Sequence, residues 1–283
     1  MKIGLVLEGG ALRTVYSSGV LDYFLEKGLT FDYNVGVSAG VAYAIYYFAG
    51  QKGANLKGIL DYIDDKRYMG VRHWLNPKNR AFFNMDFVYD YIPNEIMHFD
   101  YETYQAYPGK IEAGLTDLET GKVHWYEPDR TDRTHYLMRA TCALPIMFPI
   151  FDYDGKKMQD GGVVDSIPWK RAFEQGCDKV VVILTREPSY VRGQESAIKL
   201  LRMGFKKYPE YLSLIESRPE RYNKNHAELL QAAEEGKVFL YTPKCTEGFS
   251  RTEKDKDKIR ALYQNGYDDA VARWDELMAY LER

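Results

Sequence analysis

The 283-residue chain has only three cysteines, Cys142, Cys177 and Cys245, far apart and with no CxxC pair among them. A zinc knuckle and a disulfide framework are thereby excluded, and reduced thiols in a cytoplasmic chain are the simple expectation. Charge of one sign is lacking too. The formal net charge is −3, whereas a protein that neutralises nucleic-acid phosphates needs a basic surface. Nucleic acid is therefore not an expected partner. Long apolar runs are missing as well. The N-terminal run Ile3–Leu7 is too short for a signal-peptide core and ends in the carboxylate of Glu8. The longest uncharged stretch, residues 33–51, begins as a strand and carries Ser38 and several glycines, which argues against a membrane span. Internal repeats and linkers rich in Pro, Gly and Ser are absent, so one domain over residues 1–283 is expected.

What is present is ordinary globular material, 45% hydrophobic and 28% charged, enough for a sizeable core. Tyrosine stands out at 24 residues, and its apolar ring with a wet hydroxyl suits both cores and amphiphile-facing grooves. Ile3–Leu7 reads as a buried strand opening into Glu8-Gly9-Gly10, followed by a helix that Lys27-Gly28 ends. A second strand at 33–37 turns sharply into an all-round apolar helix from Ala39 to about Gly50. Strand, loop, helix, strand, turn and helix open a parallel α/β sheet. Residues 57–107 are mixed and aromatic-rich, and short helices covering the active face are expected there. Hairpins are expected through Glu119-Thr120-Gly121 and Asp154-Gly155. A helix that begins near Pro168, capped by Asp165 or Ser166, precedes a strand at 180–184, and one more strand is expected at 237–241.

Three motifs carry chemistry. Gly36-Val37-Ser38-Ala39-Gly40 between a strand and a helix has the form of a nucleophile elbow, with Gly36 and Gly40 flanking a serine in a tight turn. The alternative is a serine N-cap between turn glycines. Glu8-Gly9-Gly10-Ala11-Leu12-Arg13 supplies successive backbone N–H groups able to bind an oxyanion, or a plain strand-to-helix turn. It is not a P-loop, since no Gly-Lys-Ser/Thr follows, and Ala11 and Thr14 break the dinucleotide fingerprint. Asp160-Gly161-Gly162 ends a strand, and its two glycines permit close approach to another element. A Ser-His-Asp triad in the α/β-hydrolase order needs a histidine after the acid, which leaves His226. His226 lies in a polar stretch that reads as a solvated helix face. His73, His98, His124 and His135 read as exposed or partly buried polar groups.

Together with Gly19-Val20-Leu21 and Ala143-Leu144-Pro145, these motifs stand in the order and spacing of the bacterial patatin-like phospholipases, which the chain resembles over residues 3–170. The resemblance implies a three-layer α/β/α fold with a mainly parallel central sheet, followed here by a mostly helical part from about residue 190. It implies a lipid acyl hydrolase, phospholipase A-like or carboxylesterase, acting on fatty-acyl esters without metal, cofactor or histidine. By the same resemblance Ser38 is the nucleophile and Asp160 the base, and the amides of Gly10 and Ala11 form an oxyanion hole, in a loop that includes Gly9 and is buttressed by Arg13. Two positions depart from the family pattern, which has glycine where Ala11 and Thr14 stand. Alanine keeps its N–H but resists positive φ, so a shifted or strained loop is expected. Such a loop leaves a catalytically weak or inactive lipid-binding protein as the rival reading, beside a triad esterase or thioesterase using His226. Over 197–207, Ile198, Leu201 and Phe205 share one helical face and Lys199, Arg202 and Lys206 another. That pattern fits a helix packed on the core or a peripheral contact with anionic lipid.

Overall fold

The computed structural model describes residues 1–75, 81–195 and 197–282. Eight strands form one sheet: β1 (Ile3–Leu7), β2 (Tyr33–Gly36), β3 (Lys110–Asp117), β4 (Val123–Tyr126), β5 (Phe151–Tyr153), β6 (Lys156–Asp160), β7 (Lys179–Ile183) and β8 (Val238–Tyr241). The helices are α1 (Val15–Glu26), α2 (Ala39–Phe48), α3 (Ala54–Tyr62), α4 (Tyr101–Ala106), α5 (Tyr136–Thr141), α6 (Trp169–Glu174), α7 (Ile198–Gly204), α8 (Pro209–Glu234), α9 (Lys256–Ala272) and α10 (Trp274–Glu282). Strands β8, β7, β1, β2 and β3 lie side by side in parallel. The hairpin partner β4 runs antiparallel to β3, and β5 and β6 form the second expected hairpin. At its turn Asp154 and Gly155 have φ of 51° and 70°, the left-handed pair that a two-residue hairpin favours.

The period of two along the strands sorts the core into layers. Leu5, Leu7, Val181 and Ile183 join the cluster that contains α1, α2 and α9, whereas Val6, Val180 and Val182 join the cluster under α6 and α8. This is the expected α/β/α arrangement. Helix α8 lies across the second face through Tyr222, His226, Leu229 and Ala232, three or four residues apart. His226 is therefore buried, 4% exposed, and not on a solvated face. The stretch read as polar because its inward stripe is built from a tyrosine and a histidine amid Lys and Asn. His73 and His135 are buried as well. The start of α6 also differs: Pro168 occupies the N-cap without a side-chain cap, and Asp165 instead accepts from the Ile167 amide.

Residues 54–107 hold α3, a 3₁₀ turn at Val71–Leu75, a π-helical segment at Phe87–Ile96 and α4, and Tyr68, Phe83, Val88 and Tyr89 of this region line a cleft with Ser38. Residues 76–80 of that expected cover lie outside the described residues. Helix α7 is shorter than the expected 197–207, ending at Gly204; Leu201 and Phe205 pack beneath it and Lys199, Arg202 and Lys206 are exposed. None of the described helices is long and apolar enough to cross a membrane.

Helix α9 presses on α1 at backbone distance. A Cβ on Gly19 would lie 2.1 Å from the Tyr263 carbonyl oxygen, and one on Gly266 would lie 2.0 Å from that of Tyr16. Tyr263 and Tyr16 also donate across the contact to Asp22 and Asp269. Gly266→Ala should lower unfolding stability by about 1–2 kcal/mol, overpacking outweighing the ~1 kcal/mol that alanine gains in a helix. Chemical denaturation checks this, and a stabilised variant would show that the two helices have room to spare.

Candidate active site

The register around β3 decides where Ser38 and Asp160 go. Ala113 pairs with both β2 and β4, and Leu115 with both β4 and β6, so β2 and β6 occupy the same edge of β3 in succession. The parallel β2 runs toward this junction and the antiparallel β6 runs back toward it. Gly36 stands opposite Ala113 and Asp160 opposite Leu115, so the two strand ends converge at Gly114. No side chain fits between them: a Cβ on Gly161 would lie 2.3 Å from the Gly114 carbonyl oxygen.

Past β2 the chain must turn at once into α2. Ser38, at the N-cap of α2, has φ 54° and ψ −142°, outside the comfortable regions for an L-residue. Strain of this kind costs about 1–3 kcal/mol and needs surrounding contacts to hold it. Those contacts are visible. The Ser38 amide donates to Thr141 Oγ1 at 2.9 Å, and Thr141 Oγ1 donates to the Gly114 carbonyl at 2.8 Å. Gly40 lets α2 pass the end of β1, since a Cβ there would lie 2.7 Å from the Glu8 carbonyl oxygen. A Cβ on Gly36 would crowd Leu7, and one on Gly9 would lie 2.8 Å from the Ser38 Cβ. Thr141 and Gly114 were not legible as site residues, because neither belongs to a recognisable motif.

Asp160 is 1% exposed. Its Oδ1 accepts from the Gly162 amide at 2.8 Å, and its own amide donates to the Ala143 carbonyl at 3.1 Å. Oδ2 is buried with no partner in hydrogen-bond geometry among the described residues. Burial pushes the carboxyl above its ordinary pKa, while the Arg218 guanidinium and the Ser38 hydroxyl beside it oppose that rise. The carboxylate therefore faces the serine with one oxygen free. Cys142 is the third side chain here. Burial raises its thiol to about 12, and both Ser38 and Tyr89 reach its sulfur.

The glycine-rich loop after β1 turns into a 3₁₀ turn at Ala11–Thr14. Ala11 has φ 50°, so the expected strain is present at the residue where the family has glycine. The amides of Gly10 and Ala11 donate no hydrogen bond within the described residues, and both residues line a cleft with Ser38. Gly10 abuts Thr185, where a Cβ would lie 2.5 Å from Oγ1. Thr185 and Tyr222 both donate to the buried Glu8 carboxylate, which ties the loop to β7 and α8. Arg13 is buried behind the loop and points an Nη at the Phe249 carbonyl, 3.5 Å away.

Two clefts meet at Ala11, Ser38 and Leu144. One, of about 510 Å³, is apolar and lined by Tyr43, Tyr68, Phe83, Val88, Tyr89 and Phe148. The other, of about 420 Å³, is polar and includes Asp160, Arg192, Arg218 and Arg251. His226 lines neither. It stacks on Tyr222 with ring centroids 5.7 Å apart, its Nε2 has no partner among the described residues, and burial lowers its pKa.

Residues 5–173 match the patatin-like phospholipase family, and the chain belongs to that family. Residues 208–282 match a domain of unknown function (DUF6363). The chain is 25% identical over 198 residues to the uncharacterized protein YjjU of Escherichia coli, covering 65% of this chain and 52% of that one. It thus spans about half the length of this curated relative. Among solved structures, that of VipD from Legionella pneumophila aligns with a TM-score of 0.48 at 12% identity, covering 97% of this chain and 67% of VipD.

Replacing Ala11 by glycine removes the left-handed strain, at the cost of a looser unfolded chain. Ala11→Gly should therefore raise stability by roughly 0.5–1 kcal/mol. The midpoint of urea unfolding measures it, and a loss of stability would show that φ 50° is not a burden at this position.

Proposed function

We propose that the protein is a serine acyl hydrolase that cleaves fatty-acyl esters through an acyl-enzyme on Ser38, with Asp160 as the base. The observation that supports this most is the convergence of β2 and β6 on Gly114, which sets a strained serine against a buried carboxylate with a free oxygen. In the first step Ser38 Oγ attacks the ester carbonyl carbon while its proton passes to Asp160. The carbonyl oxygen, now negative, is held by the amides of Gly10 and Ala11, with Gly9 allowing the loop to approach and Arg13 holding it from behind. Collapse expels the alcohol, which takes the proton back from Asp160. Water then attacks the acyl-enzyme, its proton moves to Asp160 and on to Ser38, and the fatty acid leaves.

A carboxylate is a weak base for an alcohol, and two features compensate. Burial raises the basicity of Asp160. The free amides and the N-terminus of α2 stabilise the oxyanion where charge develops. The acyl chain occupies the aromatic cleft, so the alcohol portion lies toward the polar one. The exposed Leu200 and Met203 between Lys199, Arg202 and Lys206 on α7 suit a peripheral contact with anionic lipid. A second reading, lipid binding without turnover, draws on the strain at Ala11.

A fluorophosphonate probe should label the native chain once and leave Ser38→Ala unlabelled by intact mass, and equal labelling of both would end the nucleophile assignment. Asp160→Asn should lose turnover of chromogenic esters by at least about a thousandfold while keeping its melting temperature within a few degrees. His226→Ala should keep kcat/KM within about threefold if folded; a folded and dead His226→Ala variant would favour the triad instead. The pH dependence follows from the base. Asp160 must be ionised, and its pKa is raised, so kcat/KM should fall on acidification with a midpoint above the ordinary carboxylate range. A midpoint at or below about 4 would contradict a buried base.

A further inference from the structure

The polar cleft holds more positive charge than its neighbours neutralise. Arg13, Arg192, Arg218 and Arg251 all line it. Arg192, Arg218 and Arg251 come from the loop after β7, from α8 and from the loop before α9, parts of the chain beyond the catalytic motifs. Of the acids nearby, Glu8 already accepts from Thr185 and Tyr222, and Asp160 is the proposed base. Among the described residues Glu195 alone pairs with the group, 2.6 Å from Arg192 and 3.4 Å from Arg218. Among the described residues the buried Nε atoms of Arg13, Arg192 and Arg218 have no hydrogen-bond partner, and neither has the Arg251 side chain. Burial and neighbouring guanidinium groups pull Arg13 and Arg218 down to about 10, which still leaves both cationic at neutral pH.

Guanidinium groups crowded together and short of acceptors are costly unless an anion completes the site. The planar forks match phosphate oxygens, and the mutual repulsion that a dianion relieves adds to the preference. A quaternary ammonium meets the opposite situation, four like charges. We propose that Arg192, Arg218 and Arg251, with Arg13 behind the loop, form a phosphate-binding subsite that selects acyl esters whose alcohol portion ends in a phosphate monoester over those ending in phosphocholine. The proposal rests on the hydrolase reading only for where the ester sits. The acyl chain enters the aromatic cleft, the ester bond lies at Ser38, and the phosphate sits beyond Asp160. The same chemistry recognises free phosphate, and the test distinguishes that source.

Binding is measured first on the native chain by calorimetry, with three probes that carry no acyl ester: sn-glycerol 3-phosphate, inorganic phosphate and glycerophosphocholine. Glycerol 3-phosphate should bind at least tenfold more tightly than glycerophosphocholine, and Arg251→Gln, a change at an exposed side chain, should weaken it at least fivefold. Inorganic phosphate binding as tightly as glycerol 3-phosphate would overturn the head-group assignment in favour of a free-anion site. Indifference to the head group, or an unchanged affinity in a folded Arg251→Gln, would overturn the subsite altogether. Kinetics then separate the two proposals. With one acyl chain throughout, kcat/KM should fall from the acylglycerol phosphate to the acylglycerol to the acylglycerophosphocholine, and Arg251→Gln should compress that range at least tenfold. Selective binding without turnover of any ester would support the subsite and sink the hydrolase, whereas turnover without discrimination would do the reverse.

Discussion

Everything at the candidate site depends on two strand ends meeting on one edge of β3. β2 covers that edge as far as Ala113, β6 covers it from Leu115, and Gly114 lies between. Successive residues along a strand advance by about 3.3 Å, so the ends approach within a residue or two of each other. Serine and aspartate are thereby opposed by backbone hydrogen bonding rather than by flexible side chains reaching across a cleft. Gly114 and Gly161 are needed because the two backbones touch, and Thr141 fixes the serine to the same carbonyl that the approach exposes. A site set by register tolerates little adjustment, since slipping by one residue would turn the side chains to the other face.

That arrangement concentrates unfavourable terms in a few residues, and the fold places compensating contacts around them. Ser38 and Ala11 both have positive φ, and Glu8 and Asp160 are carboxylates almost wholly removed from water. Glu8 is satisfied by three donors, from Thr185 and Tyr222. Two of those come from the end of β7 and one from α8, so the buried charge acts as a clip among three elements. Asp160 is satisfied on one oxygen only. The difference is chemically sensible: a fully bonded carboxylate is structural, and a base needs an oxygen left open.

Much of this was legible in the sequence, for identifiable reasons. Apolar runs and turn residues placed both hairpins, α2 and the strands to within a residue or two, except β5, which begins at Phe151 rather than at the expected Phe148, because period and turn chemistry are local properties. The Ala11 strain followed from one missing glycine. His226 was misplaced because a buried stripe of Tyr222 and His226 looks polar when burial is judged by composition. Thr141, Gly114, Arg192, Arg218 and Arg251 were invisible for another reason. Their roles arise from contacts between segments far apart in the chain, Ser38 with Thr141 and Asp160 with Arg218, and no local pattern encodes such pairs.

The part of the chain beyond residue 190 carries no catalytic motif, yet it completes the environment in which Asp160 would work. Helix α8 brings Arg218 beside that carboxylate and Tyr222 onto Glu8, while the loop before α9 brings Arg251 and the Phe249 carbonyl to Arg13. Arg218 favours the ionised carboxylate and burial favours the neutral one, so the basicity of Asp160 is a balance between them. Burial alone would shift the acid toward its neutral form, whereas the guanidinium beside it shifts it toward the carboxylate. An anion bound among the arginines would draw their field away from Asp160 and raise its basicity once substrate is in place. The side chains proposed to read the alcohol portion of the ester are thus placed so that, if Asp160 is the base, they would couple its arrival to the strength of that base.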